Sequence, residues 1–271
     1  MLNLAIECSG ISGSIALCRG QELIAHCQLS TEMGSVQSLA PAINGLLSRI
    51  GPSARRVDLI SVTHGPGSFT GLRVGLATAQ TLAFAWKIPI APVDTLAAIA
   101  HGVCLSYSVE STSLICSTPK ADSTIVVPVL NAFRKQVFVA AWRMENGAKQ
   151  LPCPKSFDIV RVAKTQVLDA SAWQVQPWRA LDRLDPSNSQ TVSGETVLVC
   201  GPGLRNYVPA PHSGVRVTEQ ELWEPAALAV AQLGWNTFLA SRTVSAHELR
   251  PNYIRASAAE ELAKTTTPVG S

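Results

Sequence analysis

The chain has 271 residues, 46% of them apolar and 15% charged, and a formal net charge of +3. That composition fills a substantial core and excludes bulk disorder; so small a charge excludes a protein that grips nucleic acid alone, while leaving room for a place in a larger complex that does. Seven cysteines with no Cys-x-x-Cys pair suit a reducing compartment, and without a signal-peptide pattern or an apolar run of membrane-spanning length the expectation is a soluble, cytoplasmic protein with no membrane partner.

In chain order, LNLAIECS reads as an apolar strand, and GISGSIALCRGQELIAHCQLS as two more with Arg19-Gly20 at their turn. From Ser35, the residues Leu39, Ile43, Leu46, Leu47 and Ile50 recur at helical spacing, and Gly51-Pro52 closes that helix. VDLISVTHG is a buried strand that runs through GPGSFT into a helix over Gly71–Trp86. IPIAPVD follows as a short strand, with Asp94 or Thr95 as the cap of the next helix.

The plan then repeats. TIVVPVLNAFRKQVFVAAWRMENGAKQL reads as a strand, a turn and two strands, with Asn146-Gly147 as a hairpin signal. ETVLVCGPGLRNY parallels VDLISVTHGPGSF, an apolar strand entering Gly-Pro-Gly, and Glu7-Cys8-Ser9 matches Asn131-Ala132-Phe133 at the ends of the two opening strands. These correspondences point to an internal duplication. They divide the chain into a first α/β lobe over 1–105, a connecting segment over 106–123, a second lobe over 124–258 with an insertion near 173–194, and a flexible tail over 259–271.

The glycine-rich turn fits neither common phosphate loop. A Walker loop needs Lys-Ser/Thr where Leu72-Arg73 stands; a dinucleotide fingerprint needs Gly-x-Gly-x-x-Gly, whereas Gly65, Gly67 and Gly71 are spaced otherwise and Pro66 lacks an N–H. Two readings stay open: a tight turn in which Ser68 or Thr70 caps the helix, and an anion site at the helix N-terminus. The helix itself is rich in small residues, Gly71, Gly75, Ala77, Thr78, Ala79, Thr81, Ala83 and Ala85. Glycine inside a helix costs about 0.5–1 kcal/mol relative to alanine, so a close approach by another element is expected to compensate. Leu72, Leu76, Ala79, Leu82, Ala83 and Trp86 suit the sheet side. Val74, Ala77, Thr78, Thr81 and Ala85 make the far side too apolar for water, which points to a protein partner. Arg73 and Arg134 serve either as surface ion pairs or as partner or ligand contacts.

GPGSFTGLRVGLATAQTLA is very similar to the signature of the TsaB (YeaZ) family, and the resemblance extends to LAIECSGISGSIAL, LNAFRKQVFVAAW and the closing LRPNYIR. It implies an actin/Hsp70/sugar-kinase-like (ASKHA) duplicated fold of two related α/β lobes. It also implies a non-catalytic subunit that heterodimerises with the metal-dependent TsaD catalytic subunit and works with the TsaE ATPase to make N6-threonylcarbamoyladenosine at tRNA position 37. In such a system tRNA is reached only through the complex, Mg-ATP belongs to the partner subunits, and the chain has no cofactor of its own. The family's dimer surface, the first two helices, maps to about Ser35–Ile50 and Gly71–Trp86. On this chain it comprises Leu39, Ile43, Ser68, Phe69, Thr70, Gly71, Leu72, Arg73, Val74, Gly75 and Thr78, and a homodimer through the same helices is the expectation when the partner is absent.

Active members of the superfold place an Asp where Glu7 stands, and the family usually has Asp where Asn131 stands, followed by Arg as at Arg134. Glu7, Ser9, Asn131, Arg134, Gly201 and Gly203 therefore outline a vestigial nucleotide site, and a Mg-ATP-dependent small-molecule phosphotransferase is the competing reading. The His-x-x-x-His metal pair of TsaD-type subunits is missing from this sequence, so no catalytic metal is expected. With neither Gly-x-Ser-x-Gly nor His-Glu-x-x-His present, proteolysis is not expected either.

Overall fold

The computed structural model describes residues 1–30, 34–49, 57–110, 124–146, 157–175, 196–212 and 214–254. The first half runs β1 (Leu2–Glu7), β2 (Ser14–Arg19), β3 (Glu22–Gln28), α1 (Gly34–Ser48), β4 (Leu59–Gly65), α2 (Phe69–Trp86), β5 (Ile90–Asp94) and α3 (Thr95–Glu110). The second runs β6 (Thr124–Phe133), β7 (Gln136–Asn146), β8 (Phe157–Asp169), α4 (Ala170–Val175), β9 (Thr196–Cys200), a 3₁₀ turn at Pro202–Arg205, β10 (Val215–Val217), a second 3₁₀ turn at Gln220–Leu222 and α5 (Ala227–Leu239).

Two five-stranded mixed sheets form, ordered β3-β2-β1-β4-β5 and β10-β9-β6-β7-β8. Read from the hairpin edge, the second is β8-β7-β6-β9-β10, so the two lobes share one topology. In each, the first strand pairs antiparallel with a hairpin and parallel with the strand that enters Gly-Pro-Gly. The duplication expected from the two Gly-Pro-Gly segments is therefore the architecture of the chain. β1 is buried along all six residues because it lies mid-sheet with helices on both faces. β3, at the edge, is mostly exposed.

α1 and α2 cover one face of the first sheet through Leu39, Ile43, Leu46, Leu76, Ala79 and Ala83. The other face is covered by α5, from the far end of the chain: Ala227, Val230 and Ala231 meet Ala5, Ala16, Cys18 and Val93. Asn3 Nδ2 donates to the Ala231 carbonyl, and the Ala227 N–H donates to Ser14 Oγ. The segment after α5 stays on the first lobe. Val244 exchanges backbone bonds with Ile90, Gln80 Nε2 donates to the carbonyls of Ala246 and Leu249, and the Asn252 N–H donates to the His64 carbonyl.

These contacts correct the expected boundaries. α5 and the segment that follows it as far as Asn252 pack on the first lobe rather than on the second, and α3, expected inside the first lobe, places Leu96, Ile99, Val103 and Cys104 in the second lobe's core with Val126, Phe138 and Trp142. The expected connecting segment begins as the last turn of α3; residues 111–123 lie outside the described residues. Asn146 pairs with Phe157, so the strands that flank Asn146-Gly147 are not joined by a two-residue hairpin, and residues 147–156 lie outside the described residues. So do Ile50, Gly51-Pro52, the 176–194 part of the expected insertion, and the tail. No helix among the described residues is long and apolar enough to cross a membrane.

Candidate functional site

The turn after β1, the turn before α2 and the end of β6 converge on a cleft of about 750 Å³ between the lobes. Ser9, Gly10 and Ile11 line it from the first turn, Gly67 to Gly71 and Val74 from the second, and Asn131 and Phe133 with Pro202 and Arg205 from the second lobe. At its rim Ile11, 74% exposed, and Phe133, 69% exposed, stand beside exposed Ser68, Thr70, Arg205 and Asn206.

Of the six residues expected to outline a nucleotide site, Ser9 and Asn131 line this cleft and the other four do not. Glu7 is fully buried. Its Oε1 accepts from the Ser9 N–H at 2.6 Å and from Ser9 Oγ at 2.5 Å, while Oε2 has no hydrogen-bond partner. Burial pushes its carboxyl up to about 7, with a smaller upward push from Glu224 that the Ser9 bonds oppose. Asn131 Oδ1 accepts from the Phe133 N–H at 2.7 Å and holds a turn in which Phe133, Arg134 and Lys135 all have φ between 50° and 60°. Arg134 stands on this exposed turn. Gly201 and Gly203 are glycine because the backbone of Val129 lies against them: a Cβ would meet its carbonyl oxygen at 2.4 and 2.9 Å. Both face their own sheet rather than a ligand.

Ser68 caps α2, its Oγ accepting from the Gly71 N–H at 3.3 Å. The capped-turn reading thus describes Ser68, and Asp94 caps α3 in the same way through the N–H groups of Leu96 and Ala97. The close approach that compensates Gly71 and Gly75 comes from inside the lobe, from the end of β1. A Cβ at Gly71 would lie 1.9 Å from the Cys8 carbonyl oxygen, and one at Gly75 would lie 3.3 Å from Cys8 Cβ.

This seating divides the expected partner surface. Leu39, Ile43, Leu72 and Gly75 are buried in the lobe's own packing and offer a partner no surface, a correction to the expected face, while Gly71, buried against Cys8, reaches only the cleft. Val74 and Thr78 are half-buried, and Val74 packs on the core and lines the cleft. Ser68, Phe69, Thr70 and Arg73 are exposed. The outward row of α2 is Phe69, Arg73, Ala77, Thr81 and Phe84, and α1 adds Gln37, Ala40, Pro41, Asn44, Gly45 and Ser48. Phe84, 67% exposed, was not among the expected interface residues; its place on the Phe69–Arg73–Ala77 spacing was the signal available for it. Arg73 lies over the Phe69 ring at 3.8 Å, and Nε donates to the Tyr253 hydroxyl at 3.4 Å.

Among the described residues no three of His, Cys, Asp and Glu gather as a metal-ligand set. His64 lies beside Asp94 under the closing segment; burial lowers the imidazole and raises the carboxyl.

With this geometry in place, comparison with known proteins gives one consistent picture. The protein-family model for TsaD, tRNA N6-adenosine threonylcarbamoyltransferase, matches residues 31–168, just over half of the chain. The tRNA threonylcarbamoyladenosine biosynthesis protein TsaB of Haemophilus influenzae is 26% identical over 253 residues, covering 93% of this chain and 92% of that protein. The TsaB protein of Escherichia coli is 26% identical over 254 residues, covering 93% and 94%. The solved structure of YeaZ from Pseudomonas aeruginosa shares the fold, with a TM-score of 0.67 at 21% identity over 93% of this chain and 99% of that one. The chain belongs to the threonylcarbamoyltransferase (TsaD) family that this model describes and, within it, to the TsaB (YeaZ) proteins.

Proposed function

We propose that this chain is a non-catalytic subunit in the synthesis of tRNA N6-threonylcarbamoyladenosine, docking a TsaD-type catalytic subunit through the outer face of α1 and α2. The observation that carries the reading is the chemistry of that face. α1 contains no charged residue and α2 only Arg73, although both helices have a side in water. Surface helices ordinarily turn charge to solvent, and an uncharged exposed face fits a protein partner. The TsaD family model runs through both helices, so a TsaD-type partner carries its own version of the pair.

The cleft supports a supporting rather than a catalytic role. Glu7 is turned inward onto Ser9, and Asn131 is spent on its own turn. In this reading the chain works in the cytoplasm and needs no cofactor, a TsaE-type ATPase joins the assembly and brings Mg-ATP, tRNA is met only through the complex, and a homodimer through the same face forms when the partner is absent.

The test is a calorimetric titration of the chain into the TsaD-type subunit of its own organism. Ala77→Glu is the sharpest probe, because Ala77 is exposed mid-row while Val74 is tied to the core. We expect a one-to-one complex, weakened on the order of a hundredfold by a buried unpaired carboxylate, with the circular dichroism of the variant unchanged. Wild-type affinity in a folded Ala77→Glu chain places the dock elsewhere. No complex with the folded wild-type chain sinks the partner role, and micromolar binding of Mg-ATP by the chain alone would then favour the phosphotransferase.

A further inference from the structure

We infer that the docking face does not end at α2 but continues onto the closing segment 243–253, so that the partner is gripped by two aromatic pairs, each made of one residue from α2 and one from that segment. At the N-terminal end of α2, the Phe69 and Tyr253 rings lie 5.5 Å apart with Arg73 over Phe69; at the C-terminal end, Phe84 meets His247 edge-on at 5.7 Å. Phe69 and Phe84 are fifteen residues apart, about 22 Å along a helix axis. Arg73, Ala77, Gln80 and Thr81 lie between them. Phe69, Phe84 and Tyr253 are 43%, 67% and 44% exposed.

The closing segment is built to hold this position. Leu249 is buried in the lobe core, Val244 pairs with the edge strand β5, and Gln80 reaches across from α2 to two of its carbonyls. A segment fixed at these points displays His247 and Tyr253 at little further entropic cost on binding, and rigid exposed aromatic rings are what binding hot spots are made of. Beside the Phe84–His247 pair opens a mostly apolar groove of about 690 Å³, walled by Ala83, Ile88, Pro89, Val244 and Ala246, with Lys87 and Ser245 also in its lining. It has room for one large apolar side chain of the occupant.

The occupant to which this commits is the TsaD-type subunit, and the inference rests on the function proposed above. Arg73 is the only ionic side chain of α1 and α2, and the closing segment adds exposed Glu248, held by the Ser245 N–H, and Arg250; the TsaD family model spans both helices, so a TsaD-type chain carries a matching pair, and that match commits the face to it. The partner is expected to present a carboxylate to Arg73 and an apolar anchor to the groove.

Hydrogen exchange of the unsubstituted chain, free and in complex, reads this without mutation: the amides of 243–253 slow on binding together with those of α2. Tyr253→Ser and His247→Ser are each expected to weaken the complex about tenfold. If Ala77→Glu abolishes binding while both substitutions leave affinity unchanged and the segment gains no protection, the dock stops at α2; the inference falls and the proposed function stands. If Tyr253→Ser also loosens the segment, exchange on the wild-type complex decides. A homodimer that protects the segment as strongly and is not displaced by the TsaD-type subunit overturns the choice of occupant, and a wild-type chain that binds no partner takes down both readings together.

Discussion

Glu7 ends the middle strand of the first sheet with no surface in water and one carboxylate oxygen unpartnered. Its carboxyl titrates near 7 in the folded chain instead of near 4.5, because burial penalises the charged form more than the two Ser9 bonds favour it. Below about 4.5 both folded and unfolded chains hold the proton. Between about 4.5 and 7 only the folded chain does, so stability falls as pH rises through this window and levels off above it. Glu7→Gln keeps an oxygen for Ser9 and cannot ionise. We expect it to flatten that slope and to be the more stable chain at pH 8, by on the order of 2 kcal/mol. Urea denaturation across this range checks it, and parallel curves for the two proteins would show that Glu7 is charged when folded. The sequence located Glu7 correctly at the strand end, opposite Asn131 in the repeat, but not its direction. That direction is set by the turn that folds Ser9 back over it, with Gly10 closing against Glu224.

α2 shows which features of a helix a sequence carries and which it does not. Its start, its cap and its sheet side follow from Ser68 and from the spacing of Leu72, Leu76, Ala79 and Ala83. Its glycines were legible as a sign of close approach, but not what approaches: Cys8, far away in the chain, is brought against them by the pairing of β1 with β4. Three substitutions separate these effects. Gly71→Ala drives a Cβ into the Cys8 carbonyl, a backbone atom with no rotamer to yield, and should cost about 3 kcal/mol or more. Gly75→Ala meets Cys8 Cβ at 3.3 Å, a tight contact that a small shift relieves, and should cost about 1 kcal/mol. Gly102→Ala, inside α3 with nothing within 4 Å of the new methyl, should stabilise by about 0.5–1 kcal/mol. Thermal denaturation should rank them in that order. A harmless Gly71→Ala would mean that α2 does not sit on the end of β1.

For the whole molecule, the duplicated topology was readable because each repeat keeps its own strand–hairpin opening and its own Gly-Pro-Gly strand, all local signals. The lobe boundaries were not, because they depend on where α3 and α5 pack, and an apolar helix does not state which sheet it will cover. α5 returns from the far end of the chain to the first sheet, where Gly234 admits Ser61 so closely that a Cβ there would clash with its hydroxyl. An ion pair of Arg161 with Asp94 at 3.7 Å further ties β8 to the end of β5. A fragment of residues 1–110 would thus bare Ala5, Ala16, Cys18 and Val93 on one face of its sheet and the second-lobe side of α3 on another. So much uncovered apolar surface, at about 25 cal/mol per Å², is comparable to the whole net stability of a small domain. We expect the fragment to be unfolded or aggregated by circular dichroism and sedimentation, and to gain structure when residues 214–254 are supplied as a separate peptide. A fragment that melts cooperatively alone would make the first lobe an independent domain, with α5 merely resting on it.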